Sequence, residues 1–126
     1  MTPDIQAIFL DVGNTLRIVV EDEAFQEEAK KELMSLVGAQ GSSEEFFQVV
    51  EARWSAYRKE SKVTLVEASE RDLWTKRLLP DYPFERLAPI TGTLTRLWRD
   101  RDGRRVPRAD ARATIIELAR RGYILG

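Results

Sequence analysis

The sequence contains no cysteine and no histidine. The absence of cysteine excludes disulfides, thiolate metal sites and cysteine nucleophiles. The absence of histidine excludes serine–histidine and cysteine–histidine catalysis and disfavours a zinc site. Any chemistry that this chain performs must therefore use carboxylates, hydroxyls, lysine or arginine.

Charge of one dominant sign and long apolar runs are also lacking. Twenty basic and twenty-one acidic residues give a formal net charge of −1, so no overall field attracts nucleic acid or a membrane. The apolar run near the N-terminus is too short for a signal peptide, and nothing approaches a membrane span. We therefore expect no nucleic-acid partner, no membrane partner and a cytoplasmic location.

The composition that is present is typical of a globular protein. With 43% hydrophobic and 33% charged residues, the 126-residue chain makes one domain, or a small domain plus part of another. Near its start, an unbroken apolar run over residues 7–10 is followed by Asp11 and the turn-forming pair Gly13-Asn14. Such a run predicts a strand that is buried on both faces in a parallel sheet.

An acid at the end of such a strand is well placed for chemistry. In open α/β sheets, ligands bind just beyond the carboxyl ends of the strands. Asp11, on a loop that can fold tightly around it, could therefore act as a nucleophile or a metal ligand. The alternative interpretation is a buried strand that ends in an ordinary turn.

Residues 11–16, Asp-Val-Gly-Asn-Thr-Leu, resemble the first motif of the haloacid dehalogenase (HAD) superfamily, Asp-x-x-x-Thr-Leu. The resemblance implies that Asp11 is the nucleophile, which forms an aspartyl-phosphate or aspartyl-ester. It implies that Asp11 and the backbone carbonyl of Gly13 hold Mg²⁺, and that Thr15 positions the loop and the substrate. The implied substrate is a small phosphorylated metabolite, with a halogenated one as the dehalogenase alternative.

Helical periodicity dominates the middle of the chain. A first helix is predicted from the acidic residues 21–23 to a left-handed cap at Gly38. A second should begin at the capping box of Ser42 and Glu45. Thr64 and Glu67 repeat that signature and predict a third, and a fourth should begin near Pro89. The apolar faces of these predicted helices carry four large aromatic residues, and we predict that these pack in the core. They are Trp54, Tyr57, Trp74 and Trp98.

The last part of the chain returns to the α/β pattern. Residues 104–106 are short and extended, and residues 123–125 predict a strand. Residues 109–121 predict a helix with Ile115, Ile116, Leu118 and Ala119 inward. Strands that alternate with helices favour a parallel sheet with right-handed crossovers. The predicted fold is therefore α/β, and a block of four helices is inserted into it.

This order is similar to that of HAD enzymes with an inserted helical cap. The resemblance implies a partial Rossmann-like core in residues 1–20 and 104–126, and a cap in residues 21–103. Residues 17–20 and 104–106 would be the two arms of a flap that the cap interrupts. Only the first motif is specific to the family. The helices alone would also suit a non-catalytic interaction or dimerisation module. A further alternative is an all-helical bundle in which the terminal apolar runs are not strands.

Two departures from the family pattern limit the expected activity. Many family phosphatases carry a second Asp, a general acid and base, at the position of Gly13, and losing such a group typically costs a factor on the order of 10²–10⁴. The later family motifs would lie beyond Gly126. We therefore expect little or no turnover of an aryl phosphate by this chain with Mg²⁺. Bare strand edges also predict association with a second copy or with a complementing chain that carries the rest of the core.

A cluster of arginines lies between the fourth and fifth predicted helices, interleaved with aspartates. It could bind phosphate or nucleic acid. The interleaved acids favour a solvated, salt-bridged surface instead. Its members are Arg96, Arg99, Arg101, Arg104, Arg105, Arg108 and Arg112.

Overall fold

The computed structural model describes residues 4–126. The fold is mixed α/β and mostly helical, with one parallel and one antiparallel pair of short strands. In chain order the elements are β1 (Ala7–Ile8), β2 (Arg17–Val20), α1 (Glu23–Val37), α2 (Ser43–Thr64), α3 (Glu70–Asp72, continued by a π-helical segment, Leu73–Leu78), α4 (Phe84–Leu87, continued by a 3-10 turn, Ala88–Ile90), α5 (Thr91–Asp100), β3 (Arg104–Pro107), α6 (Ala111–Arg120) and β4 (Ile124–Leu125). No helix within residues 4–126 is long and apolar enough to cross a membrane.

The chain divides into two compact units. The strand unit combines the residues up to Asp22 with Gly103–Gly126, and the helical unit is Glu23–Asp102. In the strand unit, β1 pairs with β4 in parallel, and β2 pairs with β3 in antiparallel register. These pairs contradict the all-helical alternative.

Burial of the first strand differs from the prediction. The ladder of β1 covers two residues, and the side chain of Phe9 just beyond it is 86% exposed. A strand is buried on both faces only when other elements cover both faces. In the part of the chain that the structure describes, β4 is the only ladder partner of β1, which leaves the ring of Phe9 uncovered.

Helix α6 also differs in one detail. The prediction that Ile116 and Ala119 face inward is wrong, because both are exposed (Ile116 by 55%), whereas Ala111 is buried and Ile115 and Leu118 are half-buried. Residues four apart share a helix face, so the buried stripe follows Ala111 and Ile115 and excludes Ile116.

Local capping explains three of the helix ends in the helical unit. Ser42 accepts a hydrogen bond from the amide of Glu45 (3.4 Å), as the capping box predicted, and Gly38 has the expected left-handed backbone at φ 73°. The prediction for the third helix was wrong. Thr64 is the last residue of α2, and Ser69 caps α3 by accepting from the amide of Asp72 (3.1 Å). The hydroxyl of Thr64 instead donates to the carbonyl of Glu60 (3.1 Å) in the preceding turn and accepts from the amide of Val66 (3.3 Å).

The core of the helical unit is built around aromatic rings. Trp74 and Trp98 are 1% and 7% exposed, and their ring centroids lie 6.1 Å apart in an edge-to-face arrangement. Trp54 and Phe47 also contact the ring of Trp98. The predicted core packing of Trp74 and Trp98 is confirmed. All three tryptophans of the sequence lie in Glu23–Asp102, so tryptophan fluorescence reports on this unit.

A strained residue ends α2. Leu65 has φ 56°, a left-handed conformation that costs an L-residue about 1–2 kcal/mol, while its side chain is 87% exposed. We expect Leu65→Gly to raise the free energy of unfolding by about 0.5–1 kcal/mol, because glycine adopts this backbone without strain. Urea denaturation followed by tryptophan fluorescence measures it.

Val66 provides the matched control, since it is exposed but does not have a positive φ. Val66→Gly should lower the free energy of unfolding by about 0.4–1 kcal/mol, because glycine increases the entropy of the unfolded chain. Equal effects of the two substitutions would contradict the strain at Leu65.

Candidate nucleophile loop

Asp11 lies on the loop that follows the parallel strand pair. Beyond the ladder of β1 and β4, the amide of Leu10 donates to the carbonyl of Gly126 (2.7 Å), so the pairing extends to the residue before Asp11. Asp11 thus follows the carboxyl end of a parallel strand, and it is exposed. This is the edge of a parallel sheet at which ligands bind in α/β proteins.

The loop is closed by one carbonyl. The carbonyl oxygen of Val12 accepts from the amides of Thr15 (3.4 Å), Leu16 (3.0 Å) and Arg17 (3.1 Å). The last two bonds close an α-type and a wider π-type turn, so the chain makes a single helical turn and enters β2 directly. This turn brings the side chains of Asp11 and Thr15, four residues apart in the sequence, close together.

Asn14 provides the unusual backbone conformation of this turn. Its φ is 60°, whereas Gly13 does not have a positive φ. Asparagine is one of the few residues with a side chain that tolerates the left-handed region. Sequence reasoning noted the pair Gly13-Asn14 but did not assign the turn to Asn14, although that residue type was the available signal.

The structure brings two of the three predicted site residues into side-chain contact. The hydroxyl of Thr15 donates to Oδ2 of Asp11 at 3.4 Å, which is long for such a bond. Gly13 lies between them in the loop and forms an isolated bridge with Arg17. Thr15 can therefore orient the carboxylate of Asp11, while the second carboxylate oxygen makes no hydrogen bond within the described residues.

Magnesium requires oxygen ligands in octahedral geometry, and the loop supplies the correct type of donor. The carboxylate of Asp11 and the backbone carbonyl of Gly13 are both hard oxygen ligands. Residues 4–126 contain no group of three or more acidic side chains arranged to hold a metal ion. The loop therefore fits Mg²⁺ in ligand type, and most of the six positions would be filled by water or by phosphate oxygens.

Comparison of the chain with protein-family models, curated proteins and solved structures found no match. Function is therefore inferred from the geometry of the loop and from the motif itself.

The predicted solvated, salt-bridged surface is confirmed for Arg96, Arg104 and Arg108. Arg101 is ion-paired too, but its side chain is only 14% exposed and its guanidinium lies over the ring of Trp98. Arg96 contacts Glu32 and Asp100, Arg101 contacts Glu51, Arg104 contacts Asp22, and Arg108 contacts Asp110; the N–O distances range from 2.6 to 3.6 Å.

Open space around Gly13 leads to a prediction about the missing second acid. A Cβ built at Gly13 meets no atom within 4 Å, and the backbone there needs no glycine. We expect Gly13→Asp to fold normally, with the free energy of unfolding changed by at most about 0.5 kcal/mol, as for ordinary surface substitutions. Thermal denaturation followed by far-UV circular dichroism measures this, and Gly13→Ala separates the added bulk from the added charge. Loss of folded structure in both variants would contradict the open loop.

Proposed function

We propose that this chain carries the nucleophile loop of a HAD-like hydrolase, a phosphatase that acts on a small phosphorylated metabolite through Asp11. One observation supports the proposal most. A carboxylate follows the carboxyl end of a parallel strand, on a single helical turn that leads directly into the antiparallel pair of β2 and β3. This pair is called the hairpin below, although the helical unit separates its two arms in sequence. The hairpin arms flank the whole helical unit in sequence, the order that the HAD resemblance implies for a flap and an inserted cap. In this proposal the strand unit is a partial HAD-type core and the helical unit is the cap.

The chemistry follows from the free carboxylate oxygen. One oxygen of Asp11 attacks the phosphorus atom, a P–O bond forms, and the ester bond to the leaving group breaks. Thr15, by donating to the other oxygen, keeps the attacking oxygen directed away from the loop. Water then attacks the phosphorus of the aspartyl-phosphate, which releases inorganic phosphate and regenerates the carboxylate.

Bound Mg²⁺ would neutralise charge on the phosphate, and the Asp11 carboxylate with the Gly13 carbonyl would hold it. The leaving alkoxide needs a proton, and Gly13 has no side chain to supply one. The loop therefore suits substrates with a good leaving group, or a phosphate ester whose proton comes from another group or from water. The dehalogenase alternative uses the same nucleophile on carbon and releases halide.

Beryllofluoride, a phosphoryl mimic that binds to aspartyl nucleophiles, tests the proposal directly. The 126-residue chain is titrated with beryllofluoride and Mg²⁺ and followed by ¹⁹F NMR, together with amide shifts of residues 11–15. We expect a bound fluorine resonance and shifts confined to the loop. Asp11→Asn should abolish both, because an amide oxygen cannot replace the anionic ligand of beryllium.

Asp110→Asn is the matched control. Asp110 is an exposed carboxylate of the same unit that makes no side-chain capping bond, so the adduct should remain. Two results would contradict the assignment of Asp11 as nucleophile. One is a bound resonance that remains in Asp11→Asn, and the other is no bound resonance in the unmodified chain at saturating Mg²⁺.

A second candidate function is a non-catalytic interaction module. Three of the four residues 63–66 at the end of α2, Val63, Leu65 and Val66, are exposed apolar side chains (85%, 87% and 67%). Apolar side chains of this kind often mark protein–protein contacts. No beryllofluoride adduct, together with a stable dimer in analytical ultracentrifugation that Leu65→Ser dissociates, would favour the module.

Association is also proposed for the strand unit. Ile5, Phe9 and Ile124, on or beside the parallel pair, are each more than 65% exposed, and unpaired strand edges with apolar side chains can recruit further strands. The proposed partner is a second copy or a chain that completes the sheet. Sedimentation that shows only monomer at high concentration would count against association with a second copy.

A further inference from the structure

A groove in the strand unit lies between the β2–β3 hairpin and helix α6. Its volume is about 610 Å³, which is within the range of small-molecule sites. Most of its lining is apolar and comes from the hairpin, the residue before it and the first two turns of α6. The apolar members are Leu16, Val106, Pro107, Ala111, Ile115 and Ile116.

The polar part of the lining is entirely cationic. It consists of Arg17, Arg105 and Arg112, and no acidic side chain among residues 4–126 lines the groove. Arg17 and Arg112 are exposed and form no ion pair within the described residues, unlike the paired arginines elsewhere in the cluster. Two guanidinium groups thus lie beside an apolar floor without a counter-ion from residues 4–126.

The strand register explains how two of these charges come together. Arg17 is opposite Pro107, and Arg105 is opposite Val19, two positions further along the same ladder. Residues at this spacing share one face of an antiparallel pair. Arg17 and Arg105 are therefore diagonal neighbours on one face of the hairpin, and Arg112 is contributed by α6.

We propose that this groove binds a small amphipathic anion, namely a single alkyl chain that ends in a carboxylate. The alkyl chain covers the floor of Val106, Ile115 and Ile116, and the carboxylate contacts the guanidinium groups of Arg17 and Arg112. Guanidinium groups bind carboxylates with strong, directional hydrogen bonds. The space between the strand pair and the helix admits a monomeric ligand, and the experiment below separates such a ligand from a membrane surface. Leu16 and Arg17 continue directly from the Asp11 loop, but Asp11 and Thr15 do not line the groove, and the proposed binding does not depend on the proposed hydrolase function.

Three probes with the same ten-carbon chain test the proposal: decanoate, decanol and decyltrimethylammonium. Binding to the full chain is followed by ¹⁵N–¹H NMR below the micelle concentration of each probe. We expect decanoate to shift the amides of residues 105–106 and 111–116, and to bind at least about ten-fold more tightly than the other two probes.

Substitutions then separate charge from apolar contact. Arg17→Gln and Arg112→Gln should each weaken decanoate binding about three- to ten-fold, whereas Arg71→Gln, an exposed arginine of the helical unit, should leave it unchanged. Ile116→Gln should weaken decanoate and decanol alike. Val63→Gln, an exposed apolar residue on α2, is its control. Far-UV circular dichroism checks that each variant is folded.

Several outcomes would overturn the proposal. These are equal affinity for the three probes, amide shifts centred on the helical unit, or an equal loss of affinity in Arg71→Gln and Arg17→Gln. Binding to anionic lipid vesicles without any binding of monomeric decanoate would also overturn it, because the ligand would then be a membrane surface.

Discussion

Trp74→Ala should lower the free energy of unfolding of the helical unit by about 4 kcal/mol, in the range found for buried aromatic-to-alanine changes. Trp74 is 1% exposed, and its indole Nε1 donates to the hydroxyl of Thr95 on α5 (2.9 Å). The substitution removes the ring that packs edge-to-face against Trp98 and leaves a cavity in the core. It also leaves the hydroxyl of Thr95 without this donor.

A loss of that size is a large fraction of the total, because domains are stable by only about 5–15 kcal/mol. Urea denaturation followed by the fluorescence of the two remaining tryptophans, Trp54 and Trp98, measures it. Trp74→Phe should cost less, since it keeps an aromatic ring and loses mainly the indole donor. Phe84→Ala is the control for an exposed aromatic residue, because Phe84 is 50% exposed and should change the stability by well under half as much. Equal losses for Trp74→Ala and Phe84→Ala would contradict a core built around Trp74.

Gly103→Ala should destabilise the strand unit by about 3 kcal/mol. Gly103 is buried with φ 137°, a region that residues with a side chain rarely adopt, at a cost of roughly 1–3 kcal/mol. An added Cβ would also lie 2.5 Å from the carbonyl oxygen of Val20. That oxygen belongs to the backbone, and moving it would disturb the register in which Val20 lies opposite Arg104. Overpacking of this kind typically adds about 1–3 kcal/mol.

Three glycines of the strand unit separate the two causes. Gly13 has neither a positive φ nor a neighbour within 4 Å of an added Cβ, and Gly122 has φ 87° with open space. We expect Gly13→Ala to be neutral, Gly122→Ala to cost about 1 kcal/mol, and Gly103→Ala to cost the most. Amide hydrogen exchange in β2 and β3 measures the effect, while tryptophan fluorescence monitors the helical unit. Equal losses of stability for Gly122→Ala and Gly103→Ala would show that the contact with the carbonyl oxygen of Val20 does not contribute.

Features that depend on neighbours in the chain could be predicted well. The cap at Ser42, the left-handed Gly38 and the helical spacing of Trp74 and Trp98 all follow from hydrogen bonds or periodicity within a few residues. The error at Thr64 has the same origin. The hydroxyl of Thr64 makes its bonds to the carbonyl of Glu60 and the amide of Val66, within or just after α2, so it does not cap a new helix.

The candidate site was predicted in part. Its residues, Asp11, Gly13 and Thr15, come from a motif only six residues long, and their proposed roles remain predictions. The wide turn closed by the carbonyl of Val12 and the left-handed Asn14 were not anticipated, although both are local. The groove beside Arg17 was not anticipated either, because its arginines come from separate strands and a helix.

By itself the sequence determined that cysteine and histidine chemistry are excluded, that most of the chain is helical, and that an acid follows an apolar strand. These properties depend on residue type and on contacts within one or two turns. Only the tertiary structure decided that Phe9 and Ile116 are exposed, that Gly103 lies against the backbone of Val20, and that Arg17 and Arg112 share a groove. The paired strands β2 and β3 are separated in sequence by the entire helical unit. No local pattern in either strand therefore predicts which residues of the other strand will lie opposite it.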